Sequence, residues 1–308
     1  MSILFTFPGQ GAQRPGMLHA LPDHAEVART LEEAGAVLGL DPMLLDTAAA
    51  LASTRAVQLC LLISGVAMAR VLIAHQGGPD MVAGLSIGAY PAAVIAGALD
   101  YGDALQLVKR RAQLMEEAYP QGYGMAAIKG LDRAQLSPLI ERIHAPGNPV
   151  YLANLNGPRQ IVISGLDGAL QQVMQLALAS GASAVQRLAV SVPSHCALFD
   201  GAALAMRAAI AGCPLRRPRL TYLSACTARP LFDAAHILDD LAGNVARQVH
   251  WYDTACLAWE RGARLALEMP SGSVLTGLCA PVFQDGLALA CDSHRLDTLL
   301  ALIARARG

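Results

Sequence analysis

The chain has 308 residues, of which 54% are hydrophobic and 15% charged, and 23 basic side chains against 24 acidic ones leave a formal net charge of -1. That composition buries one large α/β core, or such a core with one inserted subdomain, and it lacks the basic excess of a nucleic-acid binder. Seven cysteines, an odd number with no Cys-x-x-Cys pair, exclude a disulfide framework and a zinc site and read as reduced thiols of a cytoplasmic protein.

Ile3 to Phe7 reads as a short strand, ended by Pro8-Gly9. No basic stretch precedes Ile3-Leu4-Phe5, so the segment does not read as a secretory signal. Glu26 to Leu38 and Thr54 to Ala74 read as helices, the second mostly apolar and therefore central. Met81 to Leu99 carries no charged residue and is nearly long enough to cross a bilayer. It contains Gly84, Gly88, Pro91 and Gly97 and is bracketed by Asp80 and Asp100. A buried strand, a tight turn and a helix are therefore expected there, and no membrane span. Asp103 to Ala118 reads as an amphipathic helix carrying Lys109, Arg110 and Arg111.

The pattern then changes. Gly124 to Ile128 reads as a strand, Arg133 to His144 as a helix, and Val150 to Asn154 and Gln160 to Ser164 as strands joined by the turn Asn156-Gly157-Pro158. Gly168 to Ser180 follows as a helix and Ala184 to Leu188 as a strand. That βαββαβ order is ferredoxin-like. After Pro193 come helices over Leu198 to Ala211 and Asp239 to Arg261, with short strands near Leu220-Leu223 and Arg264-Glu268. The expected fold class is α/β: a large α/β-hydrolase-like domain with a parallel sheet, formed by residues 1–121 and 191–308, and an inserted ferredoxin-like α+β subdomain at 122–190.

The chemistry concentrates at Gly84-Leu85-Ser86-Ile87-Gly88. A tight strand-to-helix turn strains the serine backbone, and only glycine two positions to either side leaves room for the chain to pass. The hydroxyl then stands at the end of the strand, and the next backbone N–H groups face any oxyanion formed there. A serine nucleophile needs a base. Of eight histidines, His195 stands out because Ser191-Val192-Pro193-Ser194-His195-Cys196 directly follows a strand, where α/β proteins place catalytic groups. The loop Phe7-Pro8-Gly9-Gln10-Gly11-Ala12-Gln13 is glycine-rich and also follows a strand. It matches neither a dinucleotide fingerprint nor a P-loop, which leaves a phosphate cradle or an N–H aimed at an oxyanion. Arg111 is either an exposed helix arginine or, if buried near the serine, a bidentate partner for a substrate carboxylate.

Together these segments resemble the malonyl-CoA:acyl-carrier-protein transacylases over essentially the whole chain. The N-terminal loop, the elbow, Arg111 to Ala118, the histidine segment and Glu268 to Leu278 are each similar to a family motif, in the same order. The resemblance implies that Ser86 is acylated, that His195 is its base, and that the N–H groups of Gln10 and Ile87 form the oxyanion hole. It implies that Arg111 holds the malonyl carboxylate and that a backbone carbonyl near His250 orients the histidine without an acidic third member. Malonyl-CoA would be the donor, an acyl-carrier protein the acceptor, and no metal or tightly bound cofactor would be needed.

Three positions depart from the fatty-acid members: Leu85, Ala89 and His250 stand where those usually have histidine, glutamate and glutamine. Gly-Leu-Ser-Ile-Gly-Ala-Tyr looks more like the malonyltransferase (epsilon) subunit of malonate decarboxylase, which makes that enzyme's carrier subunit the expected acceptor. The alternatives are a fatty-acid or polyketide transacylase, a serine esterase or thioesterase, which expects a strand-end acid between serine and histidine, and a non-catalytic docking subunit.

Overall fold

Ile3, Leu4, Phe5 and Phe7 are all buried, so the first strand lies inside a sheet and not at its edge. The computed structural model describes residues 1–119 and 121–308. The first stretch runs β1 (Ser2–Phe7), α1 (Ala25–Leu38), α2 (Thr54–Ala74), β2 (Met81–Gly84), α3 (Ala89–Ile95) and α4 (Tyr101–Ala118). Next come β3 (Tyr123–Lys129), α5 (Arg133–Ile143), β4 (Val150–Gly157), β5 (Gln160–Leu166), α6 (Asp167–Ala179) and β6 (Ala184–Arg187). The rest is α7 (Asp200–Ala211), β7 (Thr221–Ser224), β8 (Arg229–Leu231), α8 (Ala234–Gly243), α9 (Trp251–Glu260), β9 (Ala263–Glu268), α10 (Val274–Cys279), β10 (Leu287–Ala290) and α11 (Leu296–Arg307).

Two sheets result. The larger has the order β10-β9-β1-β2-β7-β8, parallel throughout except for the β7–β8 pair. Its central strands are buried on both faces, as a parallel sheet covered by helices requires. The smaller sheet, β4-β5-β3-β6, is antiparallel and carries α5 and α6, giving the expected βαββαβ arrangement. Helix α2 is apolar and long enough to cross a membrane, but nearly all of it is buried inside the protein. It packs against α1, α3 and α4 in the main core. The uncharged stretch over residues 81–99 is β2, the elbow and α3, as its glycines and proline suggest.

One expected element is wrong in a way that matters. The helix expected over Asp239 to Arg261 is two helices, α8 and α9, separated by residues 244–250. Val249 is drawn out of helical geometry to pair with the smaller sheet. Its N–H donates to Ala153 O at 2.9 Å and its carbonyl accepts from Leu155 N at 2.7 Å. The short β8, the edge strand β10, and α10 and α11 have no counterpart among the expected elements.

The elbow glycines are required by backbone contact. A Cβ on Gly84 would lie 2.0 Å from the Gly88 carbonyl carbon, and a Cβ on Gly88 would lie 2.0 Å from Phe7 O. Gly88→Ala should therefore cost about 1–3 kcal/mol by overpacking. Gly201→Ala is the control: it lies in α7 with open space around it, and should stabilise by about 0.5–1 kcal/mol through helix propensity. Thermal melts of the two variants check the contrast.

Candidate active site

Strand β2 delivers Ser86 into the left-handed region, with φ 57°. The N-terminal loop leans on the same turn: Leu85 N donates to Phe7 O at 3.0 Å, and a Cβ on Gly9 would meet the Leu85 carbonyl oxygen at 2.9 Å. Two backbones thus touch at the serine. Neither Gln10 N–H nor Ile87 N–H has an acceptor among the described residues. Gln10 lines the cleft with Ser86, and Ile87 follows Ser86 at the start of the next turn. Free N–H groups beside a serine hydroxyl can stabilise an oxyanion.

His195 meets Ser86 from a distant part of the chain. Its Nε2 is 2.8 Å from Ser86 Oγ. On the other side Nδ1 lies 2.9 Å from Asn244 O and 3.1 Å from Arg247 O. Carbonyls only accept, so Nδ1 carries the proton and Nε2 is left free to accept from the serine. The His195 N–H also donates to Val245 O at 2.7 Å. Three carbonyls of the α8–α9 connection therefore hold one histidine.

This corrects the expected role of His250. Its carbonyl accepts from Thr254 Oγ1 at 2.7 Å and Thr254 N at 3.0 Å, as the first turn of α9 demands, and its ring faces Asp253 at 3.6 Å. Asn244 and Arg247 supply the orienting carbonyls because the chain leaves the helix there.

Arg111 is 1% exposed, so it is not a surface arginine of an amphipathic helix. Its Nη1 donates to Gln58 Oε1 at 2.8 Å, and its Nη2 to Ser86 Oγ and Asn244 Oδ1, each at 3.2 Å. Its Nε is buried with no partner. Among the described residues no carboxylate pairs with it. Gln58 and Asn244 were missed in the sequence. A single amide inside the apolar α2 was the available signal for Gln58, and Asn244 was hidden inside an expected helix.

The cleft over Ser86 has a volume of about 360 Å³. Gln10, Leu85 and His195 line its floor, and Asn154, Asn156, Gln160 and Gln186 of the smaller sheet line its wall. The Oδ1 atoms of Asn154 and Asn156 are buried without partners. Burial, and next the Arg111 guanidinium, push the His195 imidazolium down to about 4, against the two backbone hydrogen bonds that favour it. Burial also lowers Arg111 from its ordinary value.

A protein-family model described as an acyl transferase domain matches residues 4–286. The chain belongs to the acyl transferase family. It is an acyltransferase, with the mixed α/β architecture of its relatives. It is 37% identical over 281 residues to the malonyl CoA-acyl carrier protein transacylase of Salmonella typhimurium, covering 89% of this chain and 90% of the relative. It is 34% identical over 285 residues to that of Bacillus subtilis, covering 91% and 90%. The solved transacylase from Coxiella burnetii superposes with a TM-score of 0.93 at 34% identity, over 99% of this chain and 98% of that one. A malonyl-transacylase solved in complex with a type II polyketide acyl-carrier protein gives 0.91 at 33%, over 99% and 100%.

The low His195 value fixes the pH behaviour. A base must be neutral to accept the serine proton, and His195 stays neutral until the pH approaches about 4. If His195 serves Ser86 as its base, the acid limb of the reaction should therefore lie near pH 4, well below the ordinary histidine range. The same depression means the unfolded chain takes up this proton first. The stability that His195 contributes is complete above about pH 6.5 and is lost as the pH falls toward about 4. A stopped-flow acylation profile with an acid limb near 6.5 would show that burial and Arg111 do not depress the titrating histidine.

Proposed function

We propose that this acyltransferase moves a malonyl group from malonyl-CoA, through an ester on Ser86, to the thiol of an acyl-carrier protein. The observation that carries this reading is Arg111. A fully buried guanidinium that has no carboxylate partner among the described residues, 3.2 Å from the Ser86 hydroxyl and with an unpartnered Nε, is an expensive charge that a substrate carboxylate would balance. The curated relatives and the carrier complex are named for the same reaction.

In the first half-reaction Ser86 Oγ attacks the thioester carbon while His195 Nε2 takes its proton. The N–H groups of Gln10 and Ile87 hold the oxyanion, and collapse expels the CoA thiolate, which takes the proton from His195. In the second, the carrier thiol gives its proton to His195 and attacks the acyl-serine, and collapse forms the carrier thioester and expels Ser86 Oγ, which takes the proton back from His195. The thiol arm of CoA or of a carrier bears amide groups, and the unpartnered amides of Asn154 and Asn156 suit it. In this reading residues 122–190 form a wall inserted into the catalytic unit of residues 1–121 and 191–308, and the enclosed cleft keeps water from the ester.

The carrier of malonate decarboxylase is not supported as the acceptor. The relatives above favour a carrier of fatty-acid or polyketide synthesis. Of the three residues behind the decarboxylase expectation, only Leu85 lines the cleft. Ala89 is buried beneath the elbow, and His250 faces Asp253. The esterase alternative loses its expected acid, since His195 Nδ1 meets only carbonyls.

Ser86→Ala should abolish labelling by malonyl-CoA, a loss on the order of 10⁶ in a serine enzyme; His195→Ala should slow it about 10²–10⁴-fold, and His250→Ala far less. Arg111→Ala should lower the malonyl-to-acetyl ratio of kcat/KM roughly 10–150-fold, the worth of a hydrogen bond to a charged group. Intact-mass spectrometry of the acyl-enzyme reads all four variants. An unchanged ratio in Arg111→Ala would remove the malonyl reading and leave an acyltransferase of other selectivity. For the acceptor, pre-loaded enzyme should transfer malonyl faster to a fatty-acid carrier than to a decarboxylase carrier, and the reverse order would restore the decarboxylase branch.

A further inference from the structure

Arg111 is held by amides. Gln58 and Asn244 are themselves buried, and each turns its oxygen to the guanidinium. Their NH₂ groups point the other way, to sulfur: Gln58 Nε2 lies 3.3 Å from Met115 Sδ, and Asn244 Nδ2 lies 3.7 Å from Cys226 Sγ. Sulfur is a weak acceptor and no competitor for the amide oxygens, so both side chains are oriented as acceptors toward Arg111. A buried carboxylate does exist one helical turn before Asn244. Asp240 is turned away from the site and is bound by Tyr222 Oη at 2.8 Å and by Ser224 Oγ. The acid nearest in sequence is thus engaged elsewhere, and a neutral group meets the arginine.

We propose that Asn244 is a specificity-determining positioning residue, a neutral acceptor that fixes the Arg111 guanidinium while leaving its charge uncancelled for an acyl group that bears a carboxylate. This deepens the malonyl reading above and rests on it. An amide satisfies the buried donor, whereas a carboxylate at the same 3.2 Å would satisfy it and neutralise it too. Gln58 does the same for Nη1. Asn244 has the further property that its main-chain oxygen accepts from His195. One residue therefore sets the position of the arginine with its side chain and of the histidine with its backbone.

The test is the ratio of kcat/KM for malonyl-CoA to that for acetyl-CoA, read as Ser86 acylation, in Asn244→Asp, Asn244→Ala and Gln58→Glu. Asn244→Asp is nearly isosteric and should lower the ratio roughly 10–150-fold, the effect of removing a charge-assisted bond. Asn244→Ala leaves the charge of Arg111 intact and should lower the ratio less than Asn244→Asp does. A purely structural role predicts that both donors slow alike, the truncation more than the isostere, with the ratio unchanged. If Asn244→Asp does not fold, as judged by circular dichroism, Gln58→Glu carries the same expectation from a different helix. A ratio within threefold of the wild type in whichever acidic variant folds overturns the proposal. Arg111→Ala separates the two levels: if it too leaves the ratio unchanged, the malonyl reading fails. If it collapses the ratio while the acidic variants do not, only the role of the amides fails.

Discussion

The site depends on a helix that stops. The sequence reads as one helix over Asp239 to Arg261, and a continuous helix would use the carbonyls of Asn244, Val245 and Arg247 internally. Because α8 ends at Gly243, those three carbonyls are orphans that need donors. His195 supplies them from its backbone N–H and its Nδ1. The interruption is held by the smaller sheet, where Val249 exchanges hydrogen bonds with Ala153 and Leu155 at the edge of β4. The antiparallel sheet thus does more than wall the cleft. It pulls the chain out of helical geometry one turn after the carbonyls that orient the histidine. A conventional acid is unnecessary at Nδ1 because the helix end presents oxygens that can only accept, which fixes the tautomer as firmly as a carboxylate would.

The same dependence explains what the sequence could and could not reveal. The glycines at 84 and 88 were legible because a steric demand leaves one residue type: a Cβ on Gly84 meets the Gly88 backbone, and a Cβ on Gly88 meets Phe7. Strands β1, β2 and β9 and helix α2 were legible because they are buried runs with clear ends. The α8–α9 break was missed although Gly243-Asn244 offers a local helix stop. The cause is a tertiary pairing with β4 some ninety residues earlier, which overrides helix propensity. The error over His250 has a different origin: that role came from the family resemblance alone, and the carbonyls that reach His195 lie three and six residues earlier, at Arg247 and Asn244. Strand β10 escaped for a different reason. It is a short edge strand with Leu287 half-exposed, and its pattern carries little signal. Gln58 and Asn244 each read as one polar residue among apolar neighbours, and only the position of Arg111 between them gives them meaning.

Burial then sets the electrostatics of the two ionisable groups. Removing Arg111 from water makes its charge costly, and on the reading proposed above that cost is what an incoming carboxylate would offset. Removing His195 from water keeps its ring neutral and able to accept a proton. The two effects are coupled, since the Arg111 charge is itself the second cause of the low His195 value. On the reading that Arg111 receives the malonyl carboxylate, substrate binding cancels that charge, relaxes the pressure on the imidazole and raises its basicity while the serine proton is being moved. An acetyl group leaves the arginine uncompensated and the histidine a weaker base. Selectivity for a carboxylate-bearing acyl group would thus be expressed in the proton transfer as well as in binding. The two reside in one buried network because the Asn244 side chain reaches the arginine and its carbonyl reaches the histidine.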